Sequence, residues 1–369
     1  MNIGIDARFF GPKAGGGGLG RYVEQLVRGL EAADAEHQYV IFLKPEAQAE
    51  CQFTNPRFKK RLAPIPWYTI KEHLFLAPLI DREKLDLVHF PHWNVPIGIK
   101  TPFIVTIHDL ILLEEPMSSR ASTRHPISYA IRHFLFRIIL GRAIERSVKI
   151  IAVSQYTKDA IRRFFPKTPA EKICVIHEGV TPMPSAPASE TLATTPYLLH
   201  VGNAYPHKNL DFLVRAFAKF HTIHPEFTLV LAGRDDFFLN RLKSETKNPH
   251  VRFVFDPTDA DLANLYQHAS LLVFPSRTEG FGLPALEAMA FGLPVICSNG
   301  GSLPEIVGQA ALFFDPANES ELISQIETAI QHPQIRERLI GDGRRQAAKY
   351  SWKKMVQETQ QLYVWRKKT

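Results

Sequence analysis

The sequence predicts an α/β protein made of two doubly wound parallel-sheet domains. Three observations carry that prediction. Short apolar runs, the length of buried strands, alternate with helical periodicity along most of the chain. The alternation breaks once, from Thr181 to Pro196, where four prolines fall among Ser, Ala and Thr, and then restarts. The length of 369 residues suits two domains at roughly 150 residues each.

The elements follow in order. Ile3 to Ala7 reads as a first strand, and Leu19, Tyr22, Val23, Leu26, Val27 and Leu30 then fall at helical spacing. Tyr39 to Leu43, Leu87 to Phe90, Phe103 to Ile107, Ile150 to Ser154 and Cys174 to His177 are further strands, with a helix expected from Gln155. The first domain is therefore placed at 1–181 and a linker at 182–196. In the second domain, 197–349, strands are expected at Tyr197 to Val201, Thr228 to Ala232, Arg252 to Phe255, Leu271 to Phe274 and Pro294 to Ser298. Leu210, Leu213, Val214, Phe217 and Phe220 mark a helix there. Trp352, Met355, Val356, Thr359, Leu362 and Tyr363 give a last helix one apolar face, and Arg366 to Lys368 suit its negative end. No strand follows, so this helix, within 350–369, is expected to pack on something already built, with a return to the first domain as one solution.

Composition narrows the function. Apolar residues make up 45% and charged residues 22%, which excludes disorder for the bulk of the chain. The net charge of +7 suits anionic partners such as nucleotides or phosphates, and no nucleic-acid motif accompanies it. The three cysteines are far apart, which argues against a disulfide framework and for a reducing cytoplasm. The N-terminus lacks the pattern of a signal peptide, and no apolar run approaches the length of a membrane span.

Four motifs could carry chemistry. Gly15-Gly16-Gly17-Gly18-Leu19-Gly20 runs into a helix, where bare N–H groups and the helix dipole favour an anion. It matches a dinucleotide fingerprint literally, but seven residues separate it from the strand, and Lys44 stands where an acidic residue belongs. An NAD(P)-dependent enzyme is thus a weak alternative. Gly202-Asn203-Ala204-Tyr205-Pro206-His207-Lys208 links a strand to a helix, placing Lys208 at a helix start and His207 within hydrogen-bonding reach of a ligand. Glu279-Gly280-Phe281-Gly282-Leu283-Pro284-Ala285-Leu286-Glu287 puts one carboxylate on a loop and a second about one turn into a helix, with Pro284 at the first helical position. Two carboxylates there could accept hydrogen bonds from several hydroxyls. Thr106-Ile107-His108-Asp109 ends a strand, and His108 there could meet a substrate hydroxyl. His89-Phe90-Pro91-His92 is poor ground for a metal, and none is expected.

Together these residues resemble the retaining nucleotide-sugar glycosyltransferases of family four (glycosyl transferases group 1), which have the GT-B fold. The E-x7-E pair Glu279 and Glu287, Gly292-Leu293-Pro294 and Gly300-Gly301-Ser302-Leu303-Pro304-Glu305 carry the resemblance. Ile5-Asp6-Ala7-Arg8 and Gly18-Leu19-Gly20-Arg21-Tyr22 look like the start of the bacterial mannosyltransferase-like branch, and Ile107-His108-Asp109-Leu110 and Ser351-Trp352 also fit. The resemblance implies two Rossmann-like domains facing across a cleft. It implies that Gly17 and Gly18 approach donor diphosphate or acceptor, that Gly202, Asn203, His207 and Lys208 belong to the donor site, and that Lys208 neutralises the leaving diphosphate. It gives Glu287 the ribose, Glu279 with Gly280, Phe281, Gly282 and Leu283 the donor sugar and phosphate, and His108 the sugar near its reacting centre. The base would lie near Phe255. Asn203 and His207 stand where many relatives carry arginine, so a second diphosphate cation is sought in Arg277 or Arg8. The implied reaction needs no cofactor or metal beyond its nucleotide-sugar substrate, with GDP-mannose favoured and another GDP-sugar or a UDP-sugar as the alternative. The acceptor would be a glycan or a lipid-linked sugar, which makes peripheral contact with the inner face of the cell membrane compatible with the reading. From Arg124 to Lys149 the cations scatter around a helix axis, so a helix partly packed in the core is expected there.

Overall fold

The structure is a computed structural model that describes residues 1–11, 17–115, 126–181 and 196–364, with the backbone alone at 126–128. Gly15, Gly16, most of the expected linker and Arg366 to Lys368 lie outside the described residues. The chain divides into two compact units: Met1–Leu110, Arg124–Gly179 and Ser351–Thr369 form one, and Ile111–Thr123 with Val180–Tyr350 form the other.

In the first unit β1 (Asn2–Asp6) leads through α1 (Gly18–Ala33) to β2 (Gln38–Leu43). β3 (Phe58–Leu62), α2 (Ile70–Asp81), β4 (Leu87–Phe90) and β5 (Phe103–Ile107) follow. The short α3 (Ile111–Glu114) belongs to the second unit. Its Glu114 accepts a hydrogen bond from Thr278 Oγ1 at 3.2 Å, and the next residue, Glu115, lies 3.9 Å from Arg277. α4 (Pro126–Arg146), β6 (Lys149–Ala152), α5 (Gln155–Phe164) and β7 (Ile173–Val175) complete the first sheet. Its seven strands are all parallel, in the order β3-β2-β1-β4-β5-β6-β7. The order runs one way from β1 to β3 and the other way from β4 onward. Right-handed crossovers therefore put α1 on one face and both α2 and α4 on the other.

The second unit contains β8 (Tyr197–Val201), α6 (Leu210–Ile223), β9 (Thr228–Gly233), α7 (Phe237–Glu245), β10 (Val251–Phe255), α8 (Asp259–His268) and β11 (Leu271–Phe274). α9 (Leu283–Phe291), β12 (Val295–Ser298), α10 (Leu303–Val307), β13 (Ala311–Phe314), α11 (Glu319–Gln331) and α12 (Pro333–Ala347) follow. Six parallel strands take the order β10-β9-β8-β11-β12-β13. The central strands β8, β9, β11 and β12 are buried along their whole length, as helices on both faces require.

Two strands escape the sequence reading, and both are edges. β3 is Phe-Lys-Lys-Arg-Leu, whose cations hide the apolar run while protecting the exposed edge from pairing with another chain. β13 has four residues, only half of them fully buried, too short a signal to stand out. Elsewhere local chemistry agrees with position. Ser154 caps α5 through Thr157 N–H, Thr258 and Asp261 form a capping box on α8, and Gly292 ends α9 at φ 75°.

The last helix, α13 (Trp352–Tyr363), packs on α1 in the first unit. A Cβ on Gly29 would lie 2.5 Å from a Val356 methyl, and one on Gly179 would lie 2.1 Å from Trp352 N, so both glycines exist to admit this helix. Tyr363 is fully buried and its hydroxyl shares a 2.7 Å hydrogen bond with His89 Nδ1, while His89 Nε2 meets Thr106 Oγ1 at 2.8 Å. His89 is thus committed to structure. Among the described residues no helix is long and apolar enough to cross a membrane.

Candidate functional site

In the second sheet the strand order reverses between β8 and β11. In open parallel sheets the crevice beyond the carboxyl ends at such a reversal is where ligands bind, because the two flanking loops diverge there. The loop after β8 is Gly202 to Asn209, and the loop after β11 is Pro275 to Gly282. Gly202 has φ 149°, and its carbonyl would lie 2.2 Å from a Cβ on Gly233, so the ends of β8 and β9 touch backbone to backbone. Gly233 was not singled out in the sequence; a glycine directly after a buried strand was the available signal.

Lys208 does not start the helix as the sequence suggested. It ends a 3-10 turn, Pro206–Lys208, and Asn209 follows with φ 61°, so α6 begins at Leu210. The Asn209 amide donates to the carbonyls of Pro275 (3.3 Å) and Pro316 (2.9 Å), tying the two loops together. That exchange turns the Lys208 side chain inward, where Nζ donates to Glu279 Oε1 at 2.6 Å. Both side chains are nearly buried, at 13% and 8% exposure. Burial pushes the Glu279 carboxyl up, but the Lys208 charge, His207 and the hydrogen bond outweigh it, so Glu279 stays ionised below its ordinary range.

Glu279 is held from behind by glycines. A Cβ on Gly300 would lie 2.1 Å from the Arg277 carbonyl, and one on Gly301 would lie 2.3 Å from Glu279 N. Ser302 N–H then donates to the Glu279 carbonyl at 3.0 Å. Gly301 also has φ 62°, which a side chain tolerates poorly. Gly301→Ala is expected to displace the Glu279 loop and lower nucleotide affinity about tenfold, a cost of roughly 1–2 kcal/mol for the backbone alone. Calorimetric titration with a nucleoside diphosphate measures it, and unchanged affinity would show that the loop is not part of the ligand site.

The helix start is one residue earlier than expected, with Leu283 first and Pro284 second, and Gly282 caps it at φ 95°. Phe281 is buried, its ring edge-on to Tyr350. Glu287 is 6% exposed on α9 and accepts a 2.9 Å hydrogen bond from the Tyr266 hydroxyl of α8. Tyr266 is a partner that the sequence did not reveal, because it lies on a different helix with nothing local to single it out. Phe255 closes the edge strand β10, half-buried, with the Lys243 ammonium 4.9 Å from its ring centre.

Among the described residues, buried polar atoms without hydrogen-bond partners around these loops include His200 Nε2, Asn203 Oδ1, His207 Nδ1 and Ser302 Oγ. Burial holds His200 and His207 down at about 4, with Lys208 adding to the effect. His200 is therefore neutral near pH 7, and since Nδ1 donates to the Val273 carbonyl, Nε2 is left as an acceptor beneath Gly202. An unmet buried polar group costs on the order of 1–3 kcal/mol. Several of them clustered beside an ion pair describe a site built for a polar ligand.

In the first unit, Gly17 caps α1 at φ 78°, with no atom of the described residues within 4 Å of where a Cβ would stand, and Gly18 is exposed at the first helical position. Arg8 is fully buried, with Asp6 at 2.7 Å and Glu72 at 2.5 Å, so its guanidinium is already committed and it is not the second diphosphate cation. Arg277, half-exposed and 3.9 Å from Glu115, is loosely held.

Both ring nitrogens of His108 have protein partners: Nδ1 with Glu178 Oε1 and Nε2 with the Pro91 carbonyl, each at 2.9 Å. Burial alone would favour the neutral ring, but the Glu178 hydrogen bond and charge and the Pro91 carbonyl raise its pKa above the ordinary value. Two acceptors make the imidazolium the matching form. Because the folded pKa is raised above 6.5, the pair stabilises the fold fully below that pH, and the contribution is lost as pH rises through the folded value. Chemical denaturation across that range is expected to show stability falling with pH, and Glu178→Gln to flatten the slope. An unchanged slope would remove the pair as its source.

The family pattern of Glycosyl transferases group 1 matches residues 185–346, and that of Glycosyltransferase Family 4 matches 16–182. The chain is 30% identical over 297 residues to O-antigen chain mannosyltransferase B of Escherichia coli, covering 76% of this chain and 75% of the relative. The chain belongs to glycosyltransferase family 4. This glycosyltransferase is also 29% identical over 284 residues to O-antigen chain mannosyltransferase RfbU of Salmonella typhimurium, with 76% and 75% covered. Among solved structures, Anabaena HepE in complex with UDP-glucose matches with a TM-score of 0.73 over 99% of both chains, at 18% identity. The glycosyltransferase has the GT-B fold of two Rossmann-like units, as the sequence predicted.

Proposed function

We propose that this glycosyltransferase moves a mannosyl group from GDP-mannose to a glycan or lipid-linked acceptor, with retention at the anomeric carbon. The observation that carries the reading is the set of unpartnered buried polar atoms around the Lys208–Glu279 pair at the strand reversal of the second unit. Diphosphate oxygens would accept from Lys208 and from loop amides. Sugar and ribose hydroxyls would donate to Glu279, Glu287 and the neutral His200. The two mannosyltransferase relatives support the mannosyl choice. The UDP-glucose complex of HepE favours a nucleotide-sugar donor in general and makes a UDP-sugar the second reading.

The chemistry follows from charge. When the bond between the sugar C1 and the phosphate oxygen breaks, its electron pair leaves with the diphosphate, and positive charge grows on the sugar. Lys208, glycine amides and, from the loose pair, Arg277 stabilise the departing anion. The acceptor hydroxyl bonds to C1 from the same face and gives its proton to the leaving phosphate oxygen. Glu279 and Glu287 hold hydroxyls rather than act as the acid–base pair of a glycosidase. The family resemblance gives His108 the sugar near C1, a role that requires one of its ring nitrogens to leave Glu178 or the Pro91 carbonyl. The family resemblance would give Gly17 and Gly18 the diphosphate or the acceptor, and Phe255 the base. No step is assigned to a metal or to another cofactor.

A thermal-shift titration with GDP, UDP, ADP and NADH, each with and without magnesium, tests this, since a ligand that binds only the folded state raises Tm. A shift with GDP alone, unaffected by magnesium, is expected. A shift with UDP instead replaces the donor, and a shift with NADH alone overturns the reading. Proton NMR of the first-formed product from GDP-mannose then reads the anomeric configuration.

A further inference from the structure

We propose that the outward faces of α2 and α4 form one docking surface for an anionic lipid bilayer. Seven large apolar side chains on these two helices point to solvent. Ile70, Leu74 and Phe75 lie on α2, and Ile131, Phe134, Leu135 and Ile138 lie on α4, with Ile70 78% and Phe134 63% exposed. Exposure of this kind is ordinary for single residues but not for seven on two helices that cover the same sheet face.

On α4 the buried residues Phe136, Leu140, Ala143 and Ile144 define the inner face. Projected at about 100° per residue, Phe134, Ile138, Ile131 and Leu135 fall together on the opposite side. Arg137 borders this stripe on one flank and Arg132 on the other, and Arg142 continues it further along; all three are exposed. The apparent scatter of cations in the sequence is thus an apolar stripe with arginines on its borders, visible once the inner face is known. Long arginine stems can lie along an apolar surface while their heads reach phosphate groups.

Two of the three acidic residues on these helices are engaged away from the outward faces, and the third, Glu145, lies exposed on the outward side of α4, two turns beyond Ile138. On α2, Glu72 is buried against Arg8 and Asn94, and Asp81 accepts from the backbone N–H groups of Lys100 and Thr101. On α4 the single acidic residue is Glu145, in the last turn. Among the described residues no carboxylate pairs with Arg132, Arg137 or Arg142.

The two helices share one face of the first sheet and the same supporting loop. Asp81 at the end of α2 holds Lys100 and Thr101, and Arg146 at the end of α4 donates to the carbonyls of Ile97 and Ile99. At the other end, Trp93 lies 5.6 Å from the exposed Tyr68 and 4.7 Å from Phe136. An apolar stripe bordered by three arginines, against the single outward carboxylate of Glu145 at its far end, complements a surface that is apolar beneath and negative at its headgroups. A second copy is the poorer match, because the same face set against itself offers one α4 carboxylate, Glu145, to answer three arginines.

Flotation of the full-length protein with vesicles of phosphatidylcholine, with and without phosphatidylglycerol, tests the proposal. Binding is expected only with phosphatidylglycerol and is expected to weaken in salt. Arg132→Gln with Arg137→Gln should lower partitioning by about tenfold or more, on the scale of one neutralised cation contributing about fivefold. Phe134→Glu with Leu135→Glu should abolish binding while leaving the thermal shift with nucleotide unchanged, which separates this result from failure of the donor reading or of folding. No binding to anionic vesicles, or binding indifferent to both variants, overturns the proposal. A concentration-dependent dimer in sedimentation, lost in the Phe134→Glu variant without any lipid binding, would reassign the face to a second copy.

Discussion

Lys208→Ala is expected to lower turnover at least tenfold, and by roughly a thousandfold if its charge acts fully on the leaving group. Donor affinity should change less, since the demand for positive charge is greatest in the transition state. The same substitution removes the partner 2.6 Å from a nearly buried Glu279. Stranding that carboxylate is expected to cost on the order of 3 kcal/mol, the lower end for a broken buried pair. The two effects separate by pH. In the parent, Lys208 depresses the Glu279 pKa, so the pair stabilises the fold above the ordinary glutamate value of 4.5 and is lost as pH falls through the folded value. In the variant, burial is opposed only by His207 and the Ser276 hydrogen bond and is expected to raise the folded value, so the penalty is complete at neutral pH and closes as pH drops below that of the free carboxyl. Adding Glu279→Ala should restore most of the stability and none of the turnover. Turnover restored by the double substitution would mean that Lys208 serves only to neutralise Glu279, and it would leave the diphosphate site without its cation.

Glu287→Ala is expected to weaken nucleoside diphosphate binding by about 10- to 100-fold, the scale of one or two hydrogen bonds to a charged group. Glu287→Gln should lose less, because one acceptor oxygen remains. Tyr266→Phe removes the 2.9 Å hydrogen bond that orients the carboxylate and should fall between the parent and Glu287→Gln. Calorimetry with GDP and with its deoxyribose analogue gives the decisive comparison: in the parent the missing hydroxyl should cost affinity, and in Glu287→Ala it should cost almost nothing. An alanine variant that still discriminates against the deoxy analogue would place the ribose elsewhere.

Much of the fold could be read locally. Buried parallel strands such as Leu271 to Phe274 announce themselves, because a strand covered on both faces must be apolar at every position. The edges β3 and β13 could not be read in this way, because an edge strand carries charge or is short for the reason that makes it an edge. At the site, the residue types at Lys208, Glu279, Glu287 and His108 were legible. Their partners were not: Tyr266 and Glu178 are distant in sequence and nothing in their own neighbourhoods distinguishes them, while Gly300–Gly301 stood out as a motif without revealing that it supports Glu279. The exposed stripe on α4 was hidden for a related reason. Both of its faces are apolar, and periodicity alone does not say which one the core has taken.

The sequence by itself determined two parallel-sheet units, the glycine loops and the carboxylates and cations they carry, because strand burial, helix starts and tight turns are set by residues adjacent along the chain. Tertiary structure alone decided that Lys208 turns from a helix start onto Glu279, that Arg8 is spent inside the first unit, and that the last helix settles on α1. Each of these depends on which group finds a partner when distant segments meet. A buried charge or a bare apolar face is too costly to leave unmatched, and the match is chosen by proximity in space.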